Sequence, residues 1–219
     1  LNLQTRSFLP VLLIVLMFYS VGVMGHLVRP LVPVMLAITP WFLLLSGLMV
    51  AVASTRFQEA GTVVFWFLPL LLVTFAFEVL GVATGEVFGA YHYTEALGVR
   101  IAGVPPVIGW NWVLVVWGVH TAARNWLPSV PVHLLTPLVG VACVAFDFLL
   151  EPVATGLGYW VWEGGTVPLR NYLAWGIIAA AGSWWAGRFP KLPSHPLLAW
   201  YVGVQAVFFA ILGAAGVKA

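Results

Sequence analysis

Three acids sit inside stretches that are otherwise almost wholly apolar. Glu78 lies about two turns inside the end of one such stretch, Asp147 lies near the end of another, and Glu151 follows it by four residues. An ionisable group at membrane depth is costly, so each is a functional candidate by default. A spacing of four puts Asp147 and Glu151 on one helix face, about 6 Å apart. Two carboxylates that close in a low dielectric do not both ionise easily, and one should hold its proton near neutral pH. A neutral carboxylic acid in an apolar site is a competent proton donor. Plainer readings exist: Asp147 as a helix-end contact to Arg170 or Asn171, and Glu151 as an interfacial residue before Pro152, which would end the helix. Glu78 has fewer of them, because no basic residue follows it within a turn or two.

Two further stretches bring acids, a histidine, amides and aromatics to the same membrane face. The first holds Glu86, Tyr91, His92 and Tyr93, and the helix after it opens with Pro105-Pro106 and then Trp110, Asn111 and Trp112. The second holds Tyr159, Trp160, Trp162 and Glu163, followed by Arg170, Asn171, Tyr172 and Trp175. An aromatic belt at the lipid interface accounts for some of these rings, such as Trp41, Trp126 and Trp200. A belt alone does not call for acids, His92 and two Asn among the rings. Aromatic faces stabilise a developing cation, and flat rings line a polyene or isoprenoid groove well.

Other chemistries lack their residues. There is no HExxH, no Gly-x-Ser-x-Gly, no aspartyl-protease pair and no DDxxD-like cluster. His26, His120, His133 and His195 lie near segment ends without ligand spacing, and Cys143 is the sole cysteine. A carboxylate-rich metal site from Glu78, Glu86, His92, Asp147 and Glu151 is chemically conceivable. The Glu-x-x-His signature of di-iron bundles is missing, so no metal is expected.

Apolar helices must position these groups. Of 219 residues 62% are hydrophobic and 7% charged, sixteen charges in all, where a soluble domain would carry on the order of fifty. Mean hydropathy is +1.03. This composition excludes a soluble globular domain, a disordered chain and a nucleic-acid binder, and makes lipid the solvent. Seven segments are long enough to span: Phe8–Leu27, Pro33–Ala53, Thr62–Thr84, Val104–Ala123, Val132–Leu150, Leu169–Gly187 and Pro196–Gly216. The expected fold is all-α, a single polytopic domain over residues 1–219. The connections Gly85–Gly103 and Glu151–Pro168 read as interfacial or re-entrant segments folded against the bundle. The chain begins at Leu1 rather than Met, and its first apolar stretch does not read as a cleaved signal. Five basic residues on the N-terminal side against four on the other lean toward a cytoplasmic N-terminus.

The run Glu78-Val-Leu-Gly-Val-Ala-Thr-Gly-Glu86, continuing through Tyr91-His92-Tyr93 to Gly103-Val-Pro-Pro, resembles the membrane carotenoid hydratase family. So does Asp147-Phe-Leu-Leu-Glu151-Pro-Val-Ala, with Gly158-Tyr-Trp-Val-Trp-Glu, Pro168-Leu-Arg-Asn-Tyr and Ala174-Trp175. The likeness covers roughly residues 78–175. It implies cofactor-independent addition of water across the terminal C1,C2 double bond of an acyclic carotenoid such as lycopene, giving a tertiary alcohol. The expected partners are membrane lipid, that carotenoid and water, and the expected location is the cell membrane of a prokaryote.

Under that reading the residues divide by role. Asp147 is the first choice of proton donor, held protonated by Glu151 or by Glu78 across the bundle. Tyr91, Trp110, Trp112 and Trp160 are candidates to face the cation. His92 or Glu86 would orient the water, and Asn111 and Asn171 would hold it. Tyr93, Trp162, Arg170 and Trp175 complete the expected substrate-binding set. A carotenoid end-group cyclase or isomerase would share the protonation step. A carotenoid- or isoprenoid-binding or transport protein would share the aromatic groove but have less need of the acids.

Overall fold

The computed structural model describes residues 3–218. It contains seven helices: α1 (Leu3–Leu27), α2 (Val32–Ser54), α3 (Ala60–Thr84), α4 (Pro106–Trp126), α5 (Val132–Gly156), α6 (Leu169–Ala186) and α7 (Pro196–Ala214). Five of them (α1, α2, α3, α5 and α7) are long and apolar enough to cross a membrane. The protein is an all-α polytopic membrane protein.

α4 stands at the centre, packed against α2, α3, α5, α6 and α7. Every residue from Trp112 to Gly118 is buried. A helix buried on all sides meets protein rather than lipid, so the inner part of α4 can carry Asn111, His120, Trp110, Trp112 and Trp117 without a lipid-facing stripe. α5 and α6 approach closely where Gly140 faces Gly176. A Cβ at Gly140 would lie 2.7 Å from the Gly176 carbonyl oxygen, the small-residue contact by which membrane helices pack.

Two features depart from the sequence expectation. α5 does not stop at Leu150; it continues through Pro152 to Gly156. Proline disfavours the α conformation of the residue before it, but Glu151 is held here by side-chain partners on two other segments, Trp160 and Trp162 of the second long connection and Asn171 of α6. The two long connections also form a short antiparallel ribbon, β1 (Tyr91–Tyr93) with β2 (Trp160–Trp162), pairing Tyr91 with Trp162 and Tyr93 with Trp160. α3 hands the chain into this ribbon through Gly85, whose φ of +69° caps the helix in the left-handed conformation. Thr94 ties the ribbon's end to the other connection, its hydroxyl donating to the Gly158 carbonyl at 2.5 Å.

Candidate active site

The ribbon is a lid of aromatic side chains. Strand residues alternate between faces, so Tyr91, Tyr93, Trp160 and Trp162 all point inward and are buried, while His92 and Val161 point out. Beneath the lid lie the three carboxyls, each buried: Glu78 from α3, Asp147 and Glu151 from α5.

Each carboxyl is held by neutral donors rather than by a cation. Glu78 accepts from the hydroxyls of Tyr91 at 2.5 Å and Tyr93 at 2.7 Å on Oε2, and from the Trp112 indole at 2.9 Å on Oε1. Burial, then the adjoining Glu78 carboxyl, pushes both phenols well above their usual range, so they stay protonated and donate. Glu151 accepts from the indoles of Trp160 at 3.1 Å and Trp162 at 3.0 Å, both on Oε2. Asn171 of α6 donates to Asp147 Oδ2 at 2.7 Å and reaches Glu151 Oε1 at 3.4 Å. The second oxygen of Asp147, Oδ1, is buried and has no partner.

These groups line a cavity of about 40 Å³ with Phe88, Ile108, Asn111, Leu150 and Trp175. That is room for a water or two. Trp112 and Trp175 stack face to face on its wall, their planes 17° apart. Asn111 presents a buried Oδ1 without a partner. A second, apolar cavity of about 370 Å³ adjoins the first and shares Ile108, Asn111, Leu150 and Trp160 with it. Its rim, at Phe18, Val21 and Ile38 of α1 and α2, faces outward and is exposed. Its floor, at Ala154 of α5, Leu157 just past the end of α5 and Gln205 of α7, is buried.

Of the residues singled out from sequence, eleven surround the small cavity: Glu78, Tyr91, Tyr93, Asn111, Trp112, Asp147, Glu151, Trp160, Trp162, Asn171 and Trp175. Four do not. His92 points to the outer face of the ribbon. Glu86 is exposed and pairs with Arg170 at 3.4 Å, so Arg170 contacts neither Asp147 nor the cavity. Trp110 packs against Phe67, ring centroids 5.1 Å apart, away from the acids. Sequence reading missed Phe88, Ile108 and Leu150 on the cavity wall. It also missed the strands, although the alternation Tyr-x-Tyr and Trp-x-Trp is itself a strand signal. Among the described residues, no three His, Cys, Asp or Glu side chains are grouped to hold a metal ion.

Comparison with known proteins bears on this geometry. A family model described as carotenoid biosynthesis protein matches residues 38–214. A bisanhydrobacterioruberin hydratase from Haloarcula japonica is 31% identical over 159 residues, which are 66% of this chain and 53% of that protein. The chain thus spans about half the length of that relative. No solved structure matches.

Proposed function

Because this chain belongs to the carotenoid biosynthesis protein family, we propose that it is a carotenoid hydratase, adding water to the terminal C1,C2 double bond of an acyclic end group. The observation that carries the reading is the free Oδ1 of Asp147. It is the one carboxyl oxygen of the three acids that has no partner, and it belongs to a cavity that adjoins an apolar groove. The polyene lies in the groove, and its end reaches Asp147 through the junction at Ile108, Asn111, Leu150 and Trp160. Asp147 gives its proton to C2, and the π electrons form the new C–H bond and leave a tertiary cation at C1. The faces of Trp112, Trp175, Trp160 and Tyr91 stabilise that cation. Water held on Asn111 Oδ1 attacks C1, and its proton returns to the Asp147 carboxylate. Glu78 and Glu151, saturated by donors, hold the lid and Asn171 in place. The relative's activity as a hydratase supports this class of reaction.

Expression in cells that make lycopene, with pigments analysed by chromatography and mass, tests it. The expected product is heavier by one water. An isomer of unchanged mass would replace hydration by cyclisation, and no change with several acyclic carotenoids would overturn both. Asp147→Asn is expected to lower turnover by about 10²–10⁴-fold, the usual worth of a positioned acid. Near-normal turnover in that variant would remove Asp147 as the donor.

A further inference from the structure

The membrane face opposite the acids carries a recess that the hydration step does not use. It lies where α2 and α4 end and α7 begins, and its volume is about 930 Å³, within the size range of ligand sites. Its polar lining consists mostly of donors. Among the described residues no acid lies within ion-pair distance of the Arg56 guanidinium. Glu59, the one acid in the lining, instead accepts from the Arg56 backbone N–H at 3.0 Å. Ser54 is 4% exposed, and its hydroxyl has no partner. α7 starts at Pro196 in the lining, so the positive end of its dipole lies there. An arginine has five donors and no acceptor, in a fork that matches phosphate.

The recess opens into a second feature of different character. Trp200 and Gly203, three positions apart on α7, also line an apolar groove of about 370 Å³ between α1 and α7. That groove continues to Ile211, about 12 Å farther along the helix axis. Leu16, Val207 and Ile211 in it are exposed. Tyr19 and Phe208 form the wall between this groove and the one proposed for the polyene. A donor-rich recess at the interface, continuous with an apolar trough, has the outline of an amphiphile with its head in one and a chain in the other.

Charge selects the kind of head. Arg56, Arg124, Arg188 and Lys191 lie at this face against the single acid Glu59. Among the described residues none of the four is in an ion pair. Such an excess of basic residues beside a membrane attracts anionic lipid. We propose that this face binds one anionic phospholipid, its phosphate on Arg56 and the Ser54 hydroxyl, and one acyl chain in the groove between α1 and α7. The site does not rest on the hydratase reading.

Native mass spectrometry of the full chain, delipidated in detergent, tests this with phosphatidylglycerol, phosphatidylcholine and free glycerol phosphate. One phosphatidylglycerol is expected to bind about fivefold more tightly than phosphatidylcholine, the worth of one basic residue near an anionic surface. Arg56→Gln is expected to bring the two lipids to parity. A Cβ at Gly203 would meet nothing within 4 Å, so Gly203→Leu is expected to fold with an unchanged melting temperature. By filling the junction of recess and groove it should weaken both lipids several-fold. Equal binding of the two lipids by the unmodified protein would overturn the proposal. So would a preference that survives Arg56→Gln, or binding untouched by Gly203→Leu. Glycerol phosphate bound as tightly as phosphatidylglycerol would assign the recess to a soluble phosphate and overturn the lipid. A lipid preference that Arg56→Gln abolishes, in a protein that forms no hydrated product, would sink the hydratase reading and leave this site standing. Hydrated product without any lipid preference would do the reverse.

Discussion

At the scale of the residue, the acids divide into two tiers with different partners. Glu86 and Glu95, outside, meet Arg170 and Arg100 at 3.4 and 3.6 Å. Such exposed pairs contribute little to stability. Glu78, Asp147 and Glu151, inside, meet phenols, indoles and an amide. The inner tier divides again: Glu78 has donors on both carboxyl oxygens and Asp147 on one only, a division that predicts opposite outcomes for two conservative changes. Glu78→Gln turns an acceptor into a donor facing either the Trp112 indole or the two phenols. It is expected to cost about 1–3 kcal/mol, the penalty of an unmatched buried hydrogen bond, seen as a lower melting temperature in detergent. Asp147→Asn keeps an acceptor for Asn171 and is expected to melt within about 1 kcal/mol of the unmodified protein while losing turnover. Equal destabilisation by both would contradict the division. The positions of the inner acids were legible in the sequence, because a carboxyl in an apolar helix stands out. Glu86 and His92 were not placed by the same logic. In a strand one step along the chain reverses the face, so His92 points away from the cavity although both its neighbours point in.

At the scale of the element, a site shared by four helices and two strands depends on helix separation. Asn171 bridges α6 to both acids of α5, and the Gly140–Gly176 contact sets how near those helices come. Gly140→Val would press a branched side chain against the Gly176 backbone, and backbone cannot rotate away. The expected cost is about 1–3 kcal/mol together with a loss of turnover, because α6 carries Asn171 with it. Retained turnover alongside a lowered melting temperature would show that the bridge tolerates that shift. The seven helices could be read from apolar run lengths; α2, α3, α6 and α7 begin and end within two residues of the expected positions, while α1 begins at Leu3 rather than Phe8. The length of α5 and the ribbon could not. Both arise from contacts between segments far apart in the chain, where the hydrogen bonds of Glu151 and the β1–β2 pairing outweigh the local preference at Pro152.

At the scale of the whole molecule, the groove gives the bundle a lateral opening to lipid between α1 and α2. Under the proposed function, a hydrocarbon ligand dissolved in the bilayer would enter here and approach the acids without crossing water. Narrowing that rim should slow capture and leave the chemical step alone. Ile38→Trp is therefore expected to raise KM several-fold with kcat nearly unchanged, the pattern of lost binding rather than lost transition-state stabilisation. A fall in kcat with KM unchanged would place the obstruction at the acids instead.

The pairing of β1 with β2 also bears on how the protein comes into being. Tyr91 and Trp162 are seventy-one positions apart, and closing so long a loop is among the slower steps available to a folding chain. During synthesis α3 and α4 are complete before the second strand has been made. Until Trp162 leaves the ribosome Glu151 lacks at least one of its two indoles, and until Asn171 follows it Asp147 has no donor. The acids therefore begin in a wet, open funnel and become sealed only by the late joining of two distant segments. Closure of this site is thus acquired late, and a nascent chain halted before residue 162 is expected to lack the pairing that covers the acids.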